Sequence, residues 1–182
     1  MFELGLITTL LSKVLSPLLA RSGTAIERRV FKDEKGLANG GSTEERKLAY
    51  DALRHGFLEL RTMLEVIWAL ESAALPAAIV AIPMLYSLTQ RLPDVAVELN
   101  DAFLGVTSVG RREAVEAAIQ VATELRAITD YHSRGRSGRR ARRGSAGEWQ
   151  GFDTALSQFV AVARNDLGIQ PLNLVAAESP SA

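Results

Sequence analysis

The chain has 182 residues, enough to bury a core as a single domain, and 47% of them are apolar, which excludes disorder throughout. It has no cysteine, which excludes a disulfide framework, a thiolate metal site and a thiol nucleophile. Bases and acids balance at 21 each, so no global field draws the molecule to nucleic acid.

The balance is uneven along the chain. Arg134, Arg136, Arg139, Arg140, Arg142 and Arg143 follow one another with no acid between them, and the other 15 bases face all 21 acids. The body is acidic and carries one basic strap. Lysine occurs only at Lys13, Lys32, Lys35 and Lys47 while alanine is abundant, a bias that points to a high-GC bacterial genome and carries no mechanism.

Residues 4–20, LGLITTLLSKVLSPLLA, form the first element. Apolar pairs recur every four residues at Leu6-Ile7, Leu10-Leu11, Val14-Leu15 and Leu18-Leu19. That spacing predicts an amphipathic helix with one apolar stripe. Export is not expected, because Glu3 stands where a signal peptide needs positive charge and Leu18 is a poor residue two places before Ala20. Two roles fit: packing on a helical core, or lying in a membrane interface without the basic rim such helices usually carry. Leu6, Ile7, Leu10, Leu11, Val14, Leu15 and Leu18 are the candidate contacts with a partner or membrane. Residues 1–36 are expected to form this N-terminal amphipathic segment, and glycines in Lys32–Ser42 make the connection that follows.

A helical bundle is expected over residues 42–168. Ser42 and Glu45 have the spacing of a capping box. Behind them Tyr50, Leu53, Phe57, Leu60, Leu64 and Ile67 step by three and four, which predicts a helix from Thr43 to about Ser72. Glu71, next on that seam, is expected at its exposed end. No residue from Ser72 to Gln90 is charged. Two prolines and many alanines argue against a membrane span, so the stretch is expected to be a central helix buried on all sides, kinked or restarted at Pro83. A further helical piece is expected to begin near Pro93 and stop at Gly105. Ala114, Ala118, Val121, Leu125 and Ile128 form the stripe of the next helix. Trp149, Phe152, Leu156, Phe159, Ala163 and Leu167 form the stripe of the last, with Gly168 at the left-handed cap position and Ile169 set to fold back. Residues 169–182 are expected to be a disordered tail. No stretch alternates at period two. The fold class is all-α: an antiparallel bundle of four to six helices with an N-terminal amphipathic helix.

The arginine run falls in a loop at 132–147, broken by Gly135, Gly138 and Gly144. Its arginines follow no helical face. They are the candidate anion-binding residues, for phosphates or for a lipid surface, where each could add about 1 kcal/mol. A solvated loop without a partner is the plain alternative.

Catalytic candidates are few. Asp51, His55 and Glu59 form a column on the long helix, better explained as a solvated ion-pair face than as metal ligands, because the paired Glu-x-x-His motifs of a di-iron bundle are missing. No metal site, cofactor or small-molecule substrate is indicated. The stretch RAITDYH, Arg126 to His132, resembles the Arg-x(4–6)-His motif of HEPN-domain ribonucleases, themselves all-helical bundles. The resemblance covers seven residues and implies that Arg126 and His132 would act on a scissile phosphate across a dimer interface. Ala127 departs from the polar residue usual after that arginine.

The expected function is therefore a non-catalytic interaction protein, binding a partner protein, a second copy or an anionic membrane surface through its N-terminal helix and arginine loop. Its expected location is the cytoplasm, including the inner face of the membrane. The alternative is a HEPN-like ribonuclease or a sequence-independent nucleic-acid-binding bundle.

Overall fold

Ser42 caps the first helix as its spacing predicts. Its Oγ accepts the Glu45 N–H at 3.2 Å, and Glu45 Oε2 accepts the Ser42 N–H at 2.7 Å. These two hydrogen bonds favour the ionised carboxylate and hold Glu45 below the usual carboxylate range. The computed structural model describes residues 41–72, 75–134, 147 and 149–169, apart from the side chains at 70–81, 85 and 132–134. Within them lie four helices and no strand: α1 (Thr43–Ser72), α2 (Leu75–Val109), α3 (Arg112–Arg134) and α4 (Gln150–Asp166). The N-terminal amphipathic helix and the tail after Ile169 fall outside the described residues.

The chain is all-α, and the helices run alternately up and down. α1 pairs with α2, α3 pairs with α4, and the two hairpins meet through α1 against α4 and α2 against α3. The seam read from spacing is the core of α1, where Tyr50, Leu53, Phe57, Leu60, Leu64 and Ile67 are all buried. From α2 they meet Leu92, Val95, Leu99, Phe103 and Val106. Gly56 sets the closeness of this pair, since a Cβ there would stand 2.9 Å from Leu99 Cδ1. The α3 stripe is buried at all five expected positions. The α4 stripe is buried from Trp149 to Ala163, with Leu167 packed against its edge.

Three aromatic contacts align α4 with α1. Tyr50 meets Phe159 edge-on at 6.0 Å, Phe57 meets Phe152 edge-on at 6.2 Å, and Trp68 stacks on Trp149 at 5.6 Å. Arg61 lies over the Trp149 ring at 5.3 Å while pairing with Asp153 of α4 and, at 3.0 Å, with Glu65.

Two expectations are corrected. α2 is continuous through Pro83 and Pro93, with no restart and no stop at Gly105. Both prolines sit on its exposed side, and the apolar contacts with α1 offset the missing backbone donors. Nor is the uncharged stretch buried all round, because Ile82, Met84 and Tyr86 are exposed. The two-residue link Gly110–Arg111 turns α2 into α3. α4 ends as expected. Gly168 has φ of +70°, the Gly168 N–H reaches Asn165 O at 3.0 Å, and the Ile169 N–H reaches Arg164 O at 2.9 Å, a Schellman pair.

A polar clamp ties three elements together beside that cap. Asp166 has a side chain only 4% exposed and faces Arg46 Nε at 3.0 Å and Arg111 Nε at 2.8 Å. Tyr50 donates its hydroxyl to Asp166 Oδ2 at 2.7 Å and accepts the Arg111 N–H at 3.3 Å. Burial, then the hydrogen bond to Asp166, pushes the Tyr50 phenol well above its ordinary value. Gly41 closes the same end, its N–H bonded to Val109 O at 3.0 Å and its carbonyl accepting from Arg46 at 2.9 Å.

Two outcomes follow. Leu60→Ala opens a cavity at the middle of the seam and should cost about 2–5 kcal/mol in denaturant unfolding; an unchanged midpoint would show that the seam does not carry the fold. Tyr50→Phe removes one partner of a buried carboxylate and should cost about 1–3 kcal/mol at neutral pH. Because the folded phenol titrates above its unfolded value, its contribution is complete below the unfolded pKa and is lost as pH rises through the folded one. The parent should therefore lose stability in alkali more steeply than Tyr50→Phe. Parallel pH curves would refute the linkage.

Candidate functional site

The α1–α4 register leaves two helices protruding at one end. Counting along both helices from the Gly56–Leu99 contact brings Trp68 level with about Ser87 of α2. Trp68 also stacks on Trp149, one residue before α4 begins. The part of α2 before Ser87, roughly 18 Å of helix, therefore lies beyond the start of α4. α3 protrudes as well: the Glu124 carboxylate lies 2.6 Å from where a Gly151 Cβ would stand. Beyond Glu124, α3 runs about 15 Å further to Arg134.

Four of the eight exposed large apolar side chains among the described residues lie at this end; Leu48, Val97, Leu104 and Ile169 lie elsewhere on the bundle. Ile82 is 53% exposed, Met84 52% and Tyr86 66% on α2, and Tyr131 is 61% exposed on α3. With exposed Pro83 and Ser87, the α2 residues span about 200° of the helix circumference. They lie in the stretch from Ser72 to Gln90, which has no charged residue. No helix of the described residues is long and apolar enough to cross a membrane.

The arginine run begins at this end. Arg134 is the last residue of α3, and the chain returns at Gly147 and Trp149 beside Trp68. Arg136, Arg139, Arg140, Arg142 and Arg143 lie outside the described residues, as do Leu6, Ile7, Leu10, Leu11, Val14, Leu15 and Leu18. Residues 1–40 join the bundle at Gly41, at the opposite, clamp end. The two candidate binding elements are thus attached at opposite ends of the bundle.

Of the catalytic candidates, the Arg126 side chain is described and that of His132 lies outside the described residues. Arg126 is exposed on α3 and stands 3.8 Å from Asp130, an ion pair one turn along its own helix. His132 lies six residues on, so its Cα is rotated by about 240° from that of Arg126. Asp51 and His55 are exposed, and Glu59 pairs with Arg91 of α2. Among the described residues no three His, Asp or Glu side chains are grouped to hold a metal. An open polar groove of about 490 Å³ between α3 and α4 is lined by Gln120, Glu124, Gln150, Thr154 and Gln158. Glu124 is its one titratable lining residue, and the Thr154 hydroxyl in the same lining donates to Gln150 O at 2.8 Å.

Sequence reading missed two groups. The signal for Ile82, Met84 and Tyr86 was present in the uncharged run, but it was assigned to a core. The clamp could have been suspected from Tyr50, a phenol on an apolar seam that needs a polar partner. Its partner Asp166, 116 residues away, left no local mark. The chain matches no protein-family model, no curated protein and no solved structure.

Replacing exposed apolar residues of the hairpin end should leave the fold intact. Ile82→Ser with Met84→Ser should shift stability by no more than about 1 kcal/mol, at the scale of surface substitutions. A melting temperature lowered by as much as that of Leu60→Ala would mean that these side chains are packed.

Proposed function

We propose that the protein is a non-catalytic helical bundle that docks on an anionic membrane surface by its hairpin end. The observation that supports this most is the meeting there of two complementary features: a connection containing six arginines and no acid between Arg134 and Arg143, and a helix stretch with no charge that exposes Ile82, Met84 and Tyr86. Arginines near an anionic surface each contribute about 1 kcal/mol, enough in sum for reversible binding without a spanning helix. The acids at this end are few, Glu71, Asp130 and Glu148, and Asp130 already stands near Arg126.

The N-terminal segment is the second docking element of this reading. Its apolar stripe, Leu6 to Leu18, is joined to the clamp end through the connection Lys32–Ser42 and serves a partner protein or a membrane surface. The expected setting is the inner face of a bacterial membrane, where anionic lipids are exposed to the cytoplasm.

Vesicle flotation tests the reading. The parent should float with vesicles containing phosphatidylserine and stay behind with phosphatidylcholine alone, and flotation should weaken as salt rises. Arg139, Arg140, Arg142 and Arg143 replaced together by serine should reduce flotation at least about tenfold, the loss of a few kcal/mol of charge attraction. The melting temperature should barely move, since glycines keep the run out of the helices. Equal flotation with both lipids would remove the arginines from the account. RNA cleavage that vanishes in both Arg126→Ala and His132→Ala would replace it with the ribonuclease alternative.

A further inference from the structure

We infer that the exposed arc of α2 at Ile82, Pro83, Met84 and Tyr86 enters the lipid headgroup–acyl boundary, so that the bundle meets the membrane end-on through a short apolar wedge. This rests on the proposed membrane docking and adds to it a depth, an orientation and a set of residues.

Three observations select lipid as the occupant. First, the arc is aliphatic and aromatic together, and no charge falls within eight residues on its N-terminal side or four on its C-terminal side. A protein partner would ordinarily find polar rim groups to pair with, whereas a headgroup boundary asks only for an uncharged helix tip with a Tyr at its edge. Second, the arc spans about 200° of α2 beyond the start of α4, too wide for the narrow seam that another helix would cover. Third, the charge in the connection that begins at Arg134 is of one sign as far as Gly147. The run that begins at Arg134 supplies six cations where the wedge alone would bind marginally. Single-stranded nucleic acid suits the end less well. Bases would find only Tyr86 and Tyr131 to stack on among the described residues there, since Ile82 and Met84 offer no ring and Trp149 is buried against Trp68. Tyr86 and Tyr131 are set to lie at the headgroup level, where amphipathic rings are favoured.

The chain has no cysteine, so one introduced thiol reports on one place. Ser87→Cys, within the exposed arc, and Ser108→Cys, exposed near the clamp end, are each labelled with an environment-sensitive nitrobenzoxadiazole dye. On adding phosphatidylserine vesicles, emission at position 87 should rise at least about twofold as the dye leaves water, and emission at 108 should not change. In parallel, Ile82→Ser with Met84→Ser should weaken flotation at least about fivefold at high salt, where the arginine attraction is screened. Vesicle flotation with no brightening at 87 overturns the wedge and leaves the charge-driven docking standing. Absence of flotation in the parent overturns the docking and the wedge together. Brightening at 87 that follows protein concentration without vesicles assigns the arc to a second copy, and brightening on an RNA oligonucleotide alone assigns it to nucleic acid; either result overturns the inference.

Discussion

Tyr50, Phe57 and Trp68 each meet an aromatic ring of α4 or its first flanking residue. Because α1 is a rod of about 45 Å and α4 one of about 25 Å, those three contacts decide where along the rod the shorter helix begins. That register sets how much of α1 and α3, the two neighbours of α4, lies beyond its start. The bulk of the rings makes a shift costly: sliding α4 by one turn would separate every ring pair and strand Arg61 from Asp153.

The two ends of the bundle obey opposite electrostatics. At the clamp end, Asp166 is removed from water but surrounded by Arg46, Arg111 and Tyr50, so its charge is met by partners inside the protein. At the hairpin end, α2 carries no charge from Leu75 to Gln90, and the sequence that leaves α3 at Arg134 has six arginines and no acid as far as Arg143. A buried pair of this kind fixes geometry more than it raises stability, because desolvation offsets much of the attraction. Its use here is positional: it pins the start of α1, the α2–α3 link and the end of α4 to one another.

Much of the architecture was legible in the residues themselves. The Ser42–Glu45 box, the α1 seam, the α3 and α4 stripes and the Gly168 cap are short-range patterns, and each appears as its spacing implies. The failures share a cause. Pro83, Pro93 and Gly105 carry strong local signals for breaking a helix, yet the apolar contacts of Leu92, Val95, Leu99 and Phe103 with α1 keep α2 whole. The uncharged stretch read as a buried helix because a composition without charge cannot distinguish core from an apolar surface. That distinction depends on which face of α2 its neighbours α1 and α3 cover, which no single window contains. For the candidate site, the arginines were legible as a cluster, but the exposure of Ile82, Met84 and Tyr86 needed the structure.

An up-down-up-down order with four members returns the chain to the side from which it set out. Gly41 and Ile169 therefore both lie on the clamp side, Gly41 held by Arg46 and Ile169 three residues after Asp166. In topological terms the bundle is almost a closed ring: a linker from 169 to 41 and a cut between 135 and 146 would reorder the helices as α4, α1, α2, α3 without breaking a single interhelical contact. The same geometry separates the two kinds of change the molecule can absorb. Chain before Gly41 and after Ile169 leaves the described helices on the clamp side, and the sequence between Arg134 and Gly147 leaves them on the other. Neither has to pass through the core.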